Sequence, residues 1–413
     1  MTTRTTAGEP AAAARDPAVI ALALTLLLGI QPVTTDLYLP ALPALTQDLA
    51  APMAAAQLTL SGLIIAFGFG QLLWGPVSDR CGRRPVLLAG LALYVLASVL
   101  GALAPTIEML VLWRVVQGTA LAAAVVCGRA LVRDLFEPHE GMRVMSKGMS
   151  GLGVIALSSP AIGGVVAATL GWRAALLVPG LFAAAALAFI AWRLDETLPQ
   201  RNPQATRLAP LLATWGRILR HPTFLAYAAL TTGTYAGLFT FLAGSSFVFI
   251  DVLGTTRIEY GLLMASSSVA YLAGTFWCRR GLRSHGVRGT VARGAVFTLA
   301  GGAAMAGLAL AGVHGIWAVI VPQWLYAFGH GIHQPCGQAG AVGPFPGNAG
   351  AASALSGFLL AVGAFAVGGW LGVAMNGTVY PMVLTLGFWA AVTALVAWTL
   401  VQRHGDPSVA RAA

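Results

Sequence analysis

The sequence is poor in charge. Of its 413 residues only 9% are Asp, Glu, Lys or Arg, against about 25% in an ordinary soluble domain. Lysine is nearly missing: 24 residues are basic, and Lys147 is the single lysine among them. Acids number 14 and cysteines 4, the latter at Cys81, Cys127, Cys278 and Cys336. The cysteines form no CxxC and share no His/Cys spacing suited to zinc, so four free thiols and no metal are expected. No GxxxxGK[ST] phosphate loop and no HExxH occurs, which argues against an ATP-driven pump and against a membrane metalloenzyme. No cofactor is called for, and no pattern suggests a catalytic triad. The formal charge of +10 is carried by arginines scattered between apolar runs, not gathered into one patch, so nucleic acid is not an expected partner.

Apolar residues are abundant: 57% of the chain is hydrophobic, and the mean hydropathy is +0.78. No soluble fold of this length hides so much apolar surface, so the expected surroundings are a lipid bilayer. A span needs about 20 mostly apolar residues. Twelve such stretches are found, at 18–39, 57–77, 86–104, 109–131, 146–169, 174–193, 222–249, 259–278, 291–312, 316–339, 351–374 and 379–401. The first is too long for the core of a signal peptide and is expected to be retained. Strands of a membrane barrel would alternate over about ten residues, and no such pattern is seen. The 50 glycines and 22 prolines fit helices whose neighbours satisfy the backbone.

Arginine sets the expected orientation. With the N-terminus in the cytoplasm, the inner connectors collect Arg80, Arg83, Arg84, Arg133, Arg143, Lys147 and the arginines of 193–220, 279–293 and both termini. The outer loops keep only Arg173 and Arg257. The longest polar connector, 194–221, divides the chain into an N-terminal six-helix bundle (1–193) and a C-terminal one (222–413). A faint echo between "GPVSDRCGRR" at 75–84 and "GTFWCRRGLR" at 274–283 fits such a duplication.

"GPVSDRCGRRP" resembles the GxxxDRxGRR signature of the major facilitator superfamily, with Gly75, Asp79, Arg80, Gly82, Arg83 and Arg84 as the matching residues. "RVVQG" (Arg114 to Gly118) resembles the second motif of that superfamily. "SSPAIGG" resembles its antiporter motif through Pro160, Gly163 and Gly164, with Ser159 standing where a glycine is usual. "TDLYLPALP", "DETLP", "FLAGSSFVFI" and "AGAASAL" are similar to the Bcr/CflA group of bicyclomycin- and chloramphenicol-resistance drug:proton antiporters. The resemblance implies an all-α protein with two pseudo-symmetric six-helix bundles. It also implies proton-driven export of small amphipathic drugs across a bacterial cytoplasmic membrane, with a monomer as the working unit and the 75–84 motif as a gate. Asp134 and Glu137 are candidate partners for Arg80 or Arg83. Import of a nutrient by the same fold is the alternative.

Asp36 is the one acid well inside a span, since Glu108 and Glu259 sit at span starts. A carboxylate in a membrane helix costs on the order of 3 kcal/mol. Arg114, at a similar depth in the fourth span, is its expected partner in proton coupling. The other reading of Asp36 is an interfacial acid reaching outward to water. Gln31, Thr35, Tyr38, Gly118, Tyr235, Phe239, His330, His333 and Gln334 are expected to line the substrate cavity, because aromatics and amides suit a pocket for drug-like molecules. For the aromatics, helix packing is an equal alternative. For the two histidines, hydrogen-bonded packing competes with a proton-accepting role. Some multidrug members carry a second acid two turns before the first; that place is near Leu28 here. Arg129 shares a helix face with Arg114, and it either walls the cavity or snorkels toward Arg133.

Overall fold

The computed structural model describes residues 16–198 and 200–405. The expectations that fall on Arg4, Arg15, Pro199 and Arg411 lie outside the described residues. Those residues that are described form helices and no strand. In order they are α1 (Pro17–Thr35), the short α2 (Leu42–Asp48), α3 (Met53–Cys81), α4 (Arg83–Ala102), α5 (Ile107–Leu135), α6 (Pro138–Thr169) and α7 (Trp172–Arg193). There follow α8 (Leu208–Leu219), α9 (Pro222–Ser246), α10 (Arg257–Leu310), α11 (Ile316–Val342), α12 (Ala349–Ala374), α13 (Tyr380–Trp398) and the short α14 (Leu400–His404).

Ten helical segments are long and apolar enough to cross a membrane by length and composition. One of them, α10, holds two of the expected spans. It breaks at Gly286, whose φ of 64° only glycine adopts without strain. The other expected span, α11, misses that hydropathy because its face carries Gln323, His330, His333 and Gln334. The sequence-based count of twelve is thus met by ten plus the second arm of α10 plus α11.

Local chemistry explains several ends. Thr106 accepts from Met109 N–H at the start of α5, with Glu108 in its first turn. Thr256 and Glu259 form a reciprocal capping box at the start of α10. Both acids at span starts are therefore helix caps or first-turn acids. Asp48, near the end of the first span, pairs with Arg173 at 2.7 Å and with the Trp172 indole at 2.9 Å.

The first six and last six membrane helices meet along two seams, α3 against α12 and α6 against α10. At the end opposite the GxxxDRxGRR motif the seam is closed. There Gln57 Nε2 donates to Ala243 O at 2.8 Å and Arg257 Nη1 to Ala167 O at 3.1 Å. A core that includes Leu37, Leu42, Phe241 and Phe249 fills the space between. At the motif end the only bond of this kind among the described residues is Arg129 Nη1 to Ser353 Oγ, at 3.4 Å. The halves stay in contact there through Phe69 and Phe358, 4.8 Å apart at their ring centres, with a small cavity beside them.

Candidate functional site

A narrow cavity runs between the two halves at the motif end. Its wall includes Gln31 of α1, Gln71 of α3, Arg129 of α5, Tyr235 of α9, Gln334 and Gln338 of α11, and Ser353 and Ser356 of α12. No acid lies among the lining residues. Asp36 is the C-terminal cap of α1: its N–H donates to Pro32 O at 2.8 Å, and its Oδ1 accepts from the Thr35 hydroxyl at 2.7 Å. The carboxylate is half-buried.

Arg114 does something other than expected. Among the described residues no cation lies within ion-pair distance of Asp36. The Arg114 guanidinium is fully buried and held by three neutral acceptors: Thr34 O at 3.3 Å, Thr59 O at 3.1 Å and Gln117 Oε1 at 2.7 Å. It also lies 4.4 Å from the centre of the Tyr38 ring. The reason is the early end of α1. Thr34 O is one of the carbonyls left unsatisfied at a helix C-terminus, and a cation is favourable there. Gln117 passes the network on to Ser98 at 2.7 Å, and Ser98 bonds Tyr94 O at 2.8 Å. Tyr94 OH meets Thr34 Oγ1 and closes the ring. Arg114 and Gln117, the polar residues of "RVVQG", so fasten the end of α1 two residues before Asp36.

Three more of the expected cavity residues lie elsewhere. Tyr38 is buried under Arg114, with its hydroxyl 2.9 Å from Thr59 Oγ1. Gly118 sits where α5 crosses α3: a Cβ there would fall 2.1 Å from Leu63 O, so the residue permits close packing and presents no surface. His333 is buried between α11 and the second arm of α10, 3.2 Å from Val291 O and 3.4 Å from Thr298 Oγ1. His330 is nearer the cavity. Its Nδ1 is 3.1 Å from Thr234 Oγ1, and its ring is 6.3 Å from Tyr235 and 5.6 Å from Tyr271. Phe239 is buried and stacks on Tyr235 at 6.4 Å. Gln31, Tyr235 and Gln334 reach the cavity directly. Gln71 and Ser356 were absent from the sequence-based set, although a glutamine amid "FGFGQLLWG" and the serines near "AGAASAL" are legible polar signals. Tyr227, by contrast, is turned away and bonds Gly405 O at 2.9 Å.

The GxxxDRxGRR motif is scarcely a loop. Gly75, Asp79 and Arg80 belong to α3, Arg83 and Arg84 open α4, and Gly82 alone joins them. Its φ of 107° and the Glu196 carboxylate, which a Cβ would strike, both require glycine. Arg83 is the hub. It meets Asp79 at 2.6 Å and Asp134 at 2.9 Å while only 3% of its side chain is exposed. Its N–H donates to Glu196 Oε1 at 2.9 Å. Arg84 ties down the end of α7 through Leu194 O at 2.7 Å and Ala191 O at 3.0 Å. Arg80 reaches the connector at Thr206 Oγ1, 2.8 Å away. Of the two acids expected nearby, Asp134 is the partner, and Glu137 makes no ion pair. The roles differ in burial: Asp134 is 8% exposed and Asp79 44%. We expect Asp134→Asn to lower stability by on the order of 2 kcal/mol, since it weakens a buried charge-assisted bond. Asp79→Asn is expected to cost under about 1 kcal/mol. Thermal unfolding of the two purified variants checks that order. Asp79→Asn is nonetheless expected to slow transport, because a polar latch of one state is lost; wild-type export rates at equal expression would refute this.

The antiporter motif lies on α6. Ser159 is buried and its hydroxyl bonds Ile155 O at 2.7 Å, beside Pro160, which leaves a gap in the helix ladder. Gly163 packs against the backbone of Leu37, and Gly164 against Arg257 O of the other half. Cys278 and Cys336, though 58 residues apart, are 3.4 Å apart at sulfur, and all four cysteines are free. Among the described residues no cluster of three or more His, Cys, Asp or Glu is placed to hold a metal.

An all-helical bundle of twelve spans in two halves, with a cavity between them, is the architecture of a membrane transporter. The chain belongs to the Major Facilitator Superfamily, whose family pattern it matches over residues 24–368. It is 33% identical over 263 residues to the uncharacterized MFS-type transporter YdgK of Bacillus subtilis, covering 62% of this chain and 65% of that one. It is 33% identical to the chloramphenicol resistance protein of Pseudomonas aeruginosa, over 71% of this chain and 69% of the relative. It is 26% identical to the bicyclomycin resistance protein homolog of Haemophilus influenzae, over 94% of this chain and 97% of the relative. Among solved structures, the xylose transporter XylE of E. coli, in a partially occluded inward-open conformation, superposes with a TM-score of 0.74 at 15% identity. That match covers 92% of this chain and 97% of XylE, and it shows the fold alone.

Proposed function

We propose that this protein is a proton-coupled exporter of small amphipathic toxic compounds, of the kind named by its chloramphenicol- and bicyclomycin-resistance relatives. The observation that carries the reading is Asp36, a half-buried carboxylate at the end of α1 with no cationic partner among the described residues, five residues after Gln31, which lines a cavity walled by amides and aromatics. An unpaired acid in this setting is expensive and is kept for a change of charge. Asp36 accepts the proton. Arg114 holds the end of α1, which carries that carboxylate, and acts as a positioning residue. Tyr235, Phe239 and His330 offer the aromatic wall. The 75–84 motif, pinned by Arg83, Asp134 and Glu196, stiffens its own end of the bundle in the state described here.

The working unit is a monomer in a bacterial cytoplasmic membrane, with bundles at 1–193 and 222–413 joined by the connector 194–221. Both termini and the connector face the cytoplasm, because arginine is nearly absent from the opposite loops. With Cys81, the exposed native thiol, replaced by serine, a cysteine placed at the exposed Gln204 should react with a membrane-impermeant maleimide only after the cells are opened. Labelling of intact cells would reverse the orientation. The function itself is tested by drug susceptibility of a pump-deficient host with and without this gene, followed by chloramphenicol flux in vesicles under an imposed pH gradient. The departure at Ser159 in the antiporter motif favours import as the second reading, and the direction of gradient-driven flux separates the two.

A further inference from the structure

Arg129 is the cation that neither the fold nor the proposed coupling uses. Every other arginine around the motif end of α5 has an assignment: Arg83 pairs with Asp79 and Asp134, Arg84 with two carbonyls of the α7 end, and Arg80 with Thr206. Arg133 lies 3.7 Å from Asp134. Arg114, deeper on α5, spends its donors on two carbonyls and an amide. Among the described residues Arg129, exposed at the cavity opening, has only the Ser353 hydroxyl, at 3.4 Å, although a guanidinium carries five N–H donors. It stands six residues before the end of α5, about 9 Å along the axis, and it lines the cavity. The alternative of a side chain reaching for the rim is not what the structure shows, since its one partner is across the cavity on α12. A second observation points the same way. The side-chain oxygen of Gln334, on the facing wall, is buried and has no hydrogen-bond partner. The cavity therefore holds an unspent cation and an unspent acceptor, with no acid on its lining to satisfy the first.

We propose that Arg129 is an oxyanion-docking residue for the transported compound, and that the substrates of this cavity include amphipathic aromatic acids. The ionised carboxylate lies against the Arg129 guanidinium, the geometry at which a planar fork of donors is strongest. A hydroxyl or amide N–H on the ligand answers Gln334, and the apolar body extends past Tyr235 toward the closed end. The inference deepens the exporter reading and rests on it. It assigns selection to Arg129 near the mouth and coupling to Asp36 at the end of α1.

The test uses nalidixic acid and its methyl ester, which differ in one ionised carboxylate, with chloramphenicol as a neutral reference. Binding is measured by intrinsic tryptophan fluorescence on the full-length protein in maltoside without phospholipid, which removes headgroup phosphates as competing occupants. Flux is measured in vesicles. Arg129→Gln should weaken binding of the acid and raise its KM by about tenfold or more, the loss of one charge-assisted pair. The ester and chloramphenicol should be unchanged. Arg129→Lys, which keeps the charge, should retain most of the affinity for the acid. Equal effects of Arg129→Gln on acid and ester would overturn the inference, as would a wild-type protein that binds the ester and not the acid. Loss of acid binding alone leaves the exporter reading standing if chloramphenicol flux persists. Absence of all gradient-driven flux sinks that reading, and acid binding in detergent still decides the role of Arg129.

Discussion

Asp36→Asn is expected to abolish proton-driven export while leaving a folded protein at normal abundance in the membrane. Asparagine keeps the shape of the side chain and a hydrogen-bond acceptor for the Thr35 hydroxyl, 2.7 Å away, so the end of α1 should be undisturbed. No ion pair is broken, because none of the described cations reaches the carboxylate. What is lost is the ability to change charge. An asparagine resembles the protonated acid permanently, and a site fixed in one state cannot exchange proton for substrate. Asp36→Glu restores a titratable group one methylene further out and should recover part of the flux. Both are read in inverted vesicles with an imposed pH gradient. Flux through Asp36→Asn that still scales with the gradient would move the coupling group elsewhere, with His330 next, since it is the histidine beside Tyr235.

Gly163→Val is expected to be the most damaging single change among the motif glycines of the first half. A Cβ on Gly163 would fall 2.2 Å from Leu37 O and 2.8 Å from its carbonyl carbon, so the obstacle is backbone, not a movable side chain. Either α6 or the end of α1 must retreat. Overpacking of this kind costs typically 1–3 kcal/mol, and with two further methyl groups against main chain the upper end, about 3 kcal/mol, is expected. The displaced segment carries Asp36 next to Leu37, so the residual folded fraction should also transport poorly. Melting temperature and flux per folded molecule, measured together, separate the two effects. A Gly163→Val protein with wild-type melting and flux would show that α6 and α1 are not held in this contact during transport. Gly118→Val, whose Cβ would fall 2.1 Å from Leu63 O of α3, should destabilise the same bundle to a similar degree.

Most of the fold was legible in the chain because a bilayer imposes a length and a composition that each span must meet alone. The places where boundaries shifted are informative. The run from 75 to 84 looks like a loop because it is charged, yet α3 continues to Cys81 and α4 starts at Arg83. Those charges are satisfied by Asp134, which the sequence offers as a candidate, and by Leu194 O and Ala191 O at the end of α7, carbonyls 110 and 107 residues from Arg84 that no local pattern reveals. In the same way the hydropathy of α11 falls short by itself, since its polar face is turned to Tyr235 and the cavity, not to lipid.

By itself the sequence determined that the chain lives in a membrane as twelve helices, that its charges cluster at one set of helix ends, and that Asp36 is an acid out of place. These follow from transfer free energies paid residue by residue. Only the tertiary structure decided what each polar group meets. Arg114, matched to Asp36 by depth, is spent on the open end of α1, because a helix terminus leaves carbonyls that a neighbouring cation satisfies. Gly118 and His333 lie on helices that also carry cavity residues, and Tyr38 lies just past α1, but α3, α5 and α10 cover them. Arg129, equally ambiguous in the sequence, is left facing the cavity with one weak partner. Depth along a helix is a one-dimensional quantity and can be counted. Which side of the helix is wet depends on how its neighbours pack, and that is fixed only when all twelve are in place.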